Sequence, residues 1–314
     1  MPPPTHDQTY NTEDVSIAVF TAAANYLRAR LPSELNSPKV AIICGSGLGQ
    51  LADTIENKVE FAYEDIPGFV SSTVPGHLGK LAFGLIGDKR IPTVFMVGRF
   101  HFYEGHTLKQ ITFPVRVFKM LGVEILIVTG ATGALSREFK VGMIGVTTDH
   151  ISLPGLAGNN PLFGPNVSAF GPRFPPMSNA YDYDLRVIAF KAADYLRFPT
   201  GTLKEAIYTF VGGPSFETRA EARYLSLIGG DLVGMSTVPE VIVARHCGIK
   251  VLGLTLVSNM VAIGKGKCAD PAEQDLNGIE EPLVNHEEVL QTGKERALDM
   301  QKLVKTIIDL IPST

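Results

Sequence analysis

The chain has 314 residues, 45% of them hydrophobic and 19% charged, with a formal net charge of −4 at pH 7. That is enough apolar material for one large core or two smaller ones, and the slightly acidic balance excludes a basic face for long nucleic acid or an anionic membrane. Cys44, Cys247 and Cys268 show no CxxC spacing and suit a reducing compartment better than a disulfide framework.

The opening segment MPPPTHDQTYN has no basic stretch followed by an apolar one, so residues 1–11 read as a loose tail rather than a signal peptide. No apolar run reaches the ~20 residues that a bilayer demands, and the expected location is the cytoplasm. From residue 12 onward, TEDVSIAVFTAAANYLRARL carries apolar residues at helical spacing, and the prolines of LPSELNSP end it. KVAIIC is short and continuously apolar, as a strand buried on both faces should be. KLAFGLIG and IPTVFMVG flank DKR like a hairpin. TLKQITFPVRVFKMLG predicts a helix closed by Gly122, with Pro114 as a kink, and EILIVTGATGAL predicts a buried strand entering a glycine turn.

Alternation is clearer in the second half. KEAIYTFVGG, DLVGMST and KVLGLTLVSN read as strands, and helices start at Thr218 and within VPEVIVARHCG. Capping-box spacing occurs at Thr218 with Glu221, Thr237 with Glu240 and Asn285 with Glu288, while Gly229 and Gly248 stand where C-terminal glycines belong. No repeat or linker divides residues 12–314, so one α/β domain with a mixed central sheet flanked by helices is expected. Two long loops, residues 153–182 and 262–282, are candidates for motion or assembly.

Several segments place polar groups where strands end. VGRFHFYEGH puts Arg99, His101, Glu104 and His106 directly behind an apolar strand, where charge costs several kcal/mol unless something answers it. CGSGLGQL lacks the third glycine of the dinucleotide fingerprint, since Gln50 occupies its place. A strand entering Gly45, Ser46 and Gly47 remains, which is either an anion nest or a tight turn. Glu217 follows Phe216 after a strand and before a capped helix. It either faces a ligand or favours the positive end of that helix. Met235, Ser236 and Asn259 also lie at strand ends, where open α/β sheets collect ligands. His101 and His106 lack the HExxH pattern and no thiolate is near, so no metal is expected. The G-x-S-x-G turn of a serine hydrolase is missing.

Taken together, GSGLG, VPGH, GRFHFYEGH, TGATGAL, NPLFGPN, FGPRFPPMSNAYD, GGPSFETRAEA, VGMSTVPE and NHEEVL closely resemble the trimeric, low-molecular-mass purine nucleoside phosphorylases. The resemblance runs from about Thr12 to Pro312. It implies that Arg99, His101, Ser46, Ser236 and the backbone at Ala131 bind phosphate, with His77 nearby and Glu104 orienting the cluster. Tyr103 lies against the ribose, Met235 packs on the sugar and His286 meets the 5′-hydroxyl. Phe216 faces the purine ring, and Glu217 and Asn259 read its edge. Phe170 is implied to be lent to a neighbouring subunit, making a homotrimer. The implied reaction is phosphorolysis of 6-oxopurine nucleosides such as inosine and guanosine, with phosphate as co-substrate and no cofactor. Asn259, Glu217 and His101 are the implied catalytic residues.

Ser258 and Met260 depart from the threonine and lysine of mammalian-type relatives, which bears on the purine 6 position. A methylthioadenosine phosphorylase would carry aspartate where Asn259 stands and would leave His286 no hydroxyl to bond. A non-catalytic nucleoside-binding protein would not need Arg99, His101, Glu217 and Asn259 intact.

Overall fold

The computed structural model describes residues 17–46, 48–72, 78–266, 269 and 286–312, with the backbone alone given for residues 286–290 and 293. In chain order the elements are α1 (Ile17–Arg28), β1 (Val40–Cys44), β2 (Glu56–Ala62), β3 (Lys80–Ile86), β4 (Ile91–Val97), α2 (Leu108–Leu121), β5 (Ile125–Ala134) and β6 (Ile144–Ser152). They continue with α3 (Leu153–Leu156), α4 (Tyr183–Tyr195), β7 (Leu203–Phe210), α5 (Arg219–Leu227), β8 (Leu232–Gly234), α6 (Val238–His246), β9 (Lys250–Met260) and α7 (His286–Leu310).

Among the described residues nine strands form one mixed sheet in the order β2-β3-β4-β1-β5-β8-β7-β6-β9. A further pairing of β5 with β9 closes the last five strands on themselves. β5 is the hinge of this arrangement. It pairs in parallel with β1 on the open side and with β9 inside the closed part, and its end pairs antiparallel with β8. Every residue of β1 is buried, and alternate side chains serve opposite cores. Ala41 and Ile43 join the core beneath α1, α2 and α6, while Val40, Ile42 and Cys44 join the one beneath α4 and α7.

Local signals fix several boundaries. Thr107 caps α2 in a box with Gln110, and Gly122 ends it in the left-handed region at φ 103°. The helix runs through Pro114. Thr218 and Glu221 make the expected capping box on α5, and the 80–97 segment forms the expected hairpin. Among the described residues no helix is long and apolar enough to cross a membrane.

Three expectations change. First, TGATGA is strand rather than a glycine turn: β5 runs to Ala134, with a register shift against β9 between Thr132 and Gly133. Its glycines lie where neighbours come close, not where the chain reverses. A Cβ on Gly133 would lie 2.6 Å from Val261, and one on Gly145 of β6 would lie 2.4 Å from Leu232. Second, β2 and β6 have no counterpart in the sequence reading. β2 is largely exposed and charged, and β6 turns polar at its far end, so neither shows a continuous apolar run. Third, Thr237 makes no side-chain cap on α6. The Asn285 and Glu288 pair lies outside the described side chains.

A close backbone approach lies where the chain leaves β1 beside β5: a Cβ on Gly45 would sit 2.7 Å from Gly130 Cα and 2.8 Å from the Thr129 carbonyl oxygen. Backbone cannot yield as a flexible side chain can. Gly45→Ala is therefore expected to lose about 1–3 kcal/mol of stability in thermal or denaturant unfolding. A variant as stable as the parent would contradict this packing.

Candidate active site

The side chains behind β4 and β8 meet over β5. Arg99 follows the end of β4 and is 1% exposed. Its Nη1 donates to Ser236 Oγ at 2.6 Å and to Thr237 Oγ1 at 3.2 Å. Its Nε lies 3.4 Å from Glu240 Oε1, a carboxylate that is itself 3% exposed. A Cβ on Gly130 would stand 3.3 Å from Arg99 Nη1 and 3.8 Å from both hydroxyls. The glycine in β5 thus leaves the guanidinium its place.

The turn that carries these hydroxyls is strained. Thr237 has φ 71° and ψ −57°, a positive-φ γ-turn rarely adopted by a β-branched residue. The Val238 N–H donates to the Ser236 carbonyl at 2.8 Å and closes the turn. Such a conformation costs of order 1–3 kcal/mol and persists only where its surroundings over-determine it. The Arg99 bonds to both hydroxyls and the Ser236 N–H bond to the Tyr208 hydroxyl at 3.3 Å are those surroundings.

His101 stands beside this charge, 5% exposed. Glu104 Oε1 accepts from the His101 backbone N–H at 2.7 Å and lies 3.1 Å from Nδ1. A carboxylate on Nδ1 selects the tautomer protonated there, which makes Nε2 the nitrogen that carries the lone pair. Burial, with the nearby Arg99 charge, holds the imidazole below its ordinary pKa, and Glu104 opposes that shift. Tyr103 stacks on the His101 ring at 4.7 Å between centroids. Desolvation pushes its phenol up to about 12, so it stays neutral. Ser46 lies just beyond β1, and Ala131 lies within β5 one residue past Gly130.

A second group stands nearer the open end. A Cβ on Gly213, just beyond β7, would touch Met235 Sδ at 2.5 Å and Tyr103 Cδ1 at 3.1 Å, so the loop that goes on to Phe216 and Glu217 packs at Gly213 against those two residues. Phe216 is 44% exposed and its ring is open to a ligand. Glu217 is partly buried, and desolvation raises its carboxyl pKa above the ordinary value, with a smaller contribution from Glu221. The start of α5 is tied to the end of β9, since Arg219 donates to the Gly264 carbonyl at 3.3 Å and Arg223 to that of Ile263 at 3.2 Å. Asn259, near the end of β9, is 8% exposed. Ser258 Oγ lies 3.0 Å from Asn259 Oδ1 and 3.1 Å from the Thr132 carbonyl. The Ser258 hydroxyl has one proton for these two acceptors, and Asn259 Nδ2 lies over β5, where a Cβ on Gly133 would come within 3.1 Å of it.

A model described as the Phosphorylase superfamily matches residues 39–309. The chain belongs to the phosphorylase superfamily. It is 48% identical to purine nucleoside phosphorylase of Mus musculus over 88% of this chain and 90% of that one. It is 47% identical to purine nucleoside phosphorylase 1 of Bacillus subtilis over 91% and 96%. The solved structure of Schistosoma mansoni purine nucleoside phosphorylase in complex with inosine superposes with a TM-score of 0.84 at 42% identity, covering 96% of this chain and 99% of that one.

Within this phosphorylase-superfamily chain, Arg99, His101, Tyr103, Met235 and Ser236 form one continuous cluster, and the loop bearing Phe216 and Glu217 packs onto it. His77 and the side chain of His286 lie outside the described residues. Phe170 packs inward in this chain. It is 6% exposed, packs edge-on to Phe20 at 5.2 Å and lies under the Arg116 guanidinium at 4.8 Å. On the same loop Phe174 is 85% exposed. Sequence reading also misses Thr237 as an Arg99 partner and Glu240, whose spacing suggests only a cap. Among the described residues no group of three or more His, Cys, Asp or Glu is placed to hold a metal.

Glu217 and Glu221 are four residues apart yet shift oppositely, because burial raises the first while Thr218 N–H and hydroxyl bonds lower the second. A carboxyl raised on folding stabilises the protein below its unfolded pKa and loses that contribution as pH rises through its folded pKa. Carbon-13 NMR of labelled glutamate should find Glu217 titrating above Glu221, and Glu217→Gln should unfold at an equal or higher temperature at pH 7. Reversed titration order, or a clearly lower Tm, would contradict this assignment.

Proposed function

We propose that the chain is a purine nucleoside phosphorylase that cleaves 6-oxopurine ribonucleosides and deoxyribonucleosides with inorganic phosphate, giving free base and the sugar 1-phosphate. The observation that carries the reading is Arg99, a buried guanidinium held at a strand edge beside Ser236 and His101 and within reach of the loop bearing Glu217. A planar guanidinium flanked by hydroxyls and an imidazole suits a tetrahedral dianion better than a lone lysine would.

The residues divide the work along the nucleoside. Arg99, His101, Ser46, Ser236, the Ala131 backbone and His77 hold phosphate beneath the sugar. Tyr103 and Met235 pack on the ribose, and His286 meets its 5′-hydroxyl. As the glycosidic bond stretches, positive charge grows on the sugar and negative charge on the base. Phosphate stabilises the former and captures the anomeric carbon with inversion, so no covalent enzyme intermediate forms. Asn259 Nδ2 donates at N7 and O6, stabilising negative charge that appears on the base only as the bond breaks, while the Glu217 carboxylate accepts from N1–H and holds the base in register. Phe216 covers the ring face. The reaction uses no cofactor or metal.

The assembly reading is a homotrimer in the cytoplasm, in which each subunit completes its neighbour's sugar pocket. The resemblance gives the lent aromatic as Phe170, but Phe170 is 6% and Phe174 85% exposed in this chain, and that contrast favours Phe174 as the ring the 153–182 loop offers. Arg173 braces that point, with Nη1 donating to the Leu162 carbonyl at 3.1 Å and its guanidinium 5.6 Å from the Phe174 ring. Phe174→Ala should raise KM for inosine several-fold while leaving Tm nearly unchanged. Phe170→Ala, a core deletion, should lower stability by about 3–5 kcal/mol. The opposite pattern would return the lent role to Phe170.

Asn259→Asp tests base recognition. A carboxylate repels O6 but accepts from a 6-amino group, and a buried polar mismatch discriminates strongly between substrates. The ratio of adenosine to inosine kcat/KM should rise by about tenfold or more, although absolute turnover falls. An unchanged ratio would remove Asn259 from the purine edge and with it the 6-oxopurine reading.

A further inference from the structure

Glu240 is a carboxylate within ion-pair distance of Arg99, and none of the site roles above includes it. It sits in the first turn of α6, three residues after Thr237, a spacing that ordinarily directs a glutamate back to the cap. Here the cap is not made. Instead the side chain lies buried at 3% exposure, with Oε1 3.4 Å from Arg99 Nε. Its Oε2 makes no hydrogen bond among the described residues. A carboxylate buried this deeply and giving up its local partner is costly unless another charge answers it.

Three anchors of the guanidinium therefore come from one short piece of chain. Ser236 and Thr237 take Nη1, and Glu240 takes the Nε side. An ion pair on the Nε edge adds to the bonds at Nη1 a constraint on a different edge of the guanidinium, and restraint on two edges limits the tilt of its plane. The carboxylate is also felt at the next group along, since its charge favours protonation of His101.

We propose that Glu240 is a positioning residue for phosphate: it sets the plane of Arg99 so that the guanidinium meets the dianion already oriented. The inference rests on Arg99 being a phosphate ligand, as argued under the proposed function. Glu240 is assigned no contact with phosphate or nucleoside, and it acts chiefly through Arg99, with which it pairs directly.

The test is steady-state kinetics with inosine in which phosphate and nucleoside are varied separately, for Arg99→Lys, Glu240→Gln, Glu240→Asp and the double variant Arg99→Lys/Glu240→Gln, with thermal unfolding of each. Glu240→Gln should raise KM for phosphate about tenfold or more, while KM for inosine at saturating phosphate changes by less than about twofold. Glu240→Asp, which keeps the charge but shortens its reach, should fall between. In the Arg99→Lys background, where no Nε–H of a guanidinium exists, Glu240→Gln should add less than about twofold, as expected of residues acting as one unit. If Glu240→Gln does not fold, Glu240→Asp carries the test alone.

A wild-type phosphate KM in the folded Glu240 variants, with Arg99→Lys impaired, would overturn the positioning role and leave the phosphate reading intact. Equal rises in both KM values, or the same factor in the Arg99→Lys background, would make Glu240 merely structural. A wild-type phosphate KM in Arg99→Lys itself would instead overturn the phosphate assignment.

Discussion

A guanidinium at 1% exposure is the constraint around which the site is arranged. Charge taken out of water costs several kcal/mol unless hydrogen bonds and an opposite charge replace the lost solvation. Arg99 receives both from the turn between β8 and α6, through Ser236, Thr237 and Glu240. The same constraint accounts for features that look unrelated. Gly130 leaves the volume that the guanidinium occupies, Gly45 lets β1 close onto that glycine, and Thr237 tolerates a positive φ so that its hydroxyl can face Nη1.

Sheet closure explains why residues so distant in the chain converge. Because β5 pairs with β1, β8 and β9 at once, segments beginning at residues 46, 99, 131, 235 and 259 emerge around a single strand. Two zones follow. The inner one is charged, buried and rigid, suited to an anion, and the outer one is aromatic and partly open, with Phe216 exposed and Glu217 half-buried. Burial raises the Glu217 pKa and lowers that of His101, so each zone is electrostatically tuned by its depth as well as by its neighbours.

Legibility in the sequence follows burial pattern and local chemistry. β1, the β3–β4 hairpin and the capped helix α5 are all visible, because continuous apolar runs, a short charged turn and a Thr-x-x-Glu box are short-range signals. The cluster at residues 97–106 is visible because charge behind a buried strand demands an explanation. β2 escapes because an exposed edge strand carries no apolar signature. TGATGA escapes because glycine in a strand and glycine in a turn look alike until the neighbouring backbone is known. Glu240 escapes because its capping spacing offers a sufficient local reason, and only the fold shows its side chain turned inward. Phe170 and Phe174 are two aromatics on one loop, and which of them packs inward is decided by Phe20 and Arg116 far away in sequence.

In the proposed function phosphate is the acceptor of the sugar, held by Arg99 on the face opposite the departing base. The most direct measurement is product analysis of the wild-type protein with inosine, in the presence and absence of inorganic phosphate, resolving hypoxanthine, ribose 1-phosphate and ribose. The account predicts hypoxanthine and ribose 1-phosphate in equal amounts with phosphate, and negligible base release without it. Release of hypoxanthine and free ribose at a comparable rate without phosphate would contradict it.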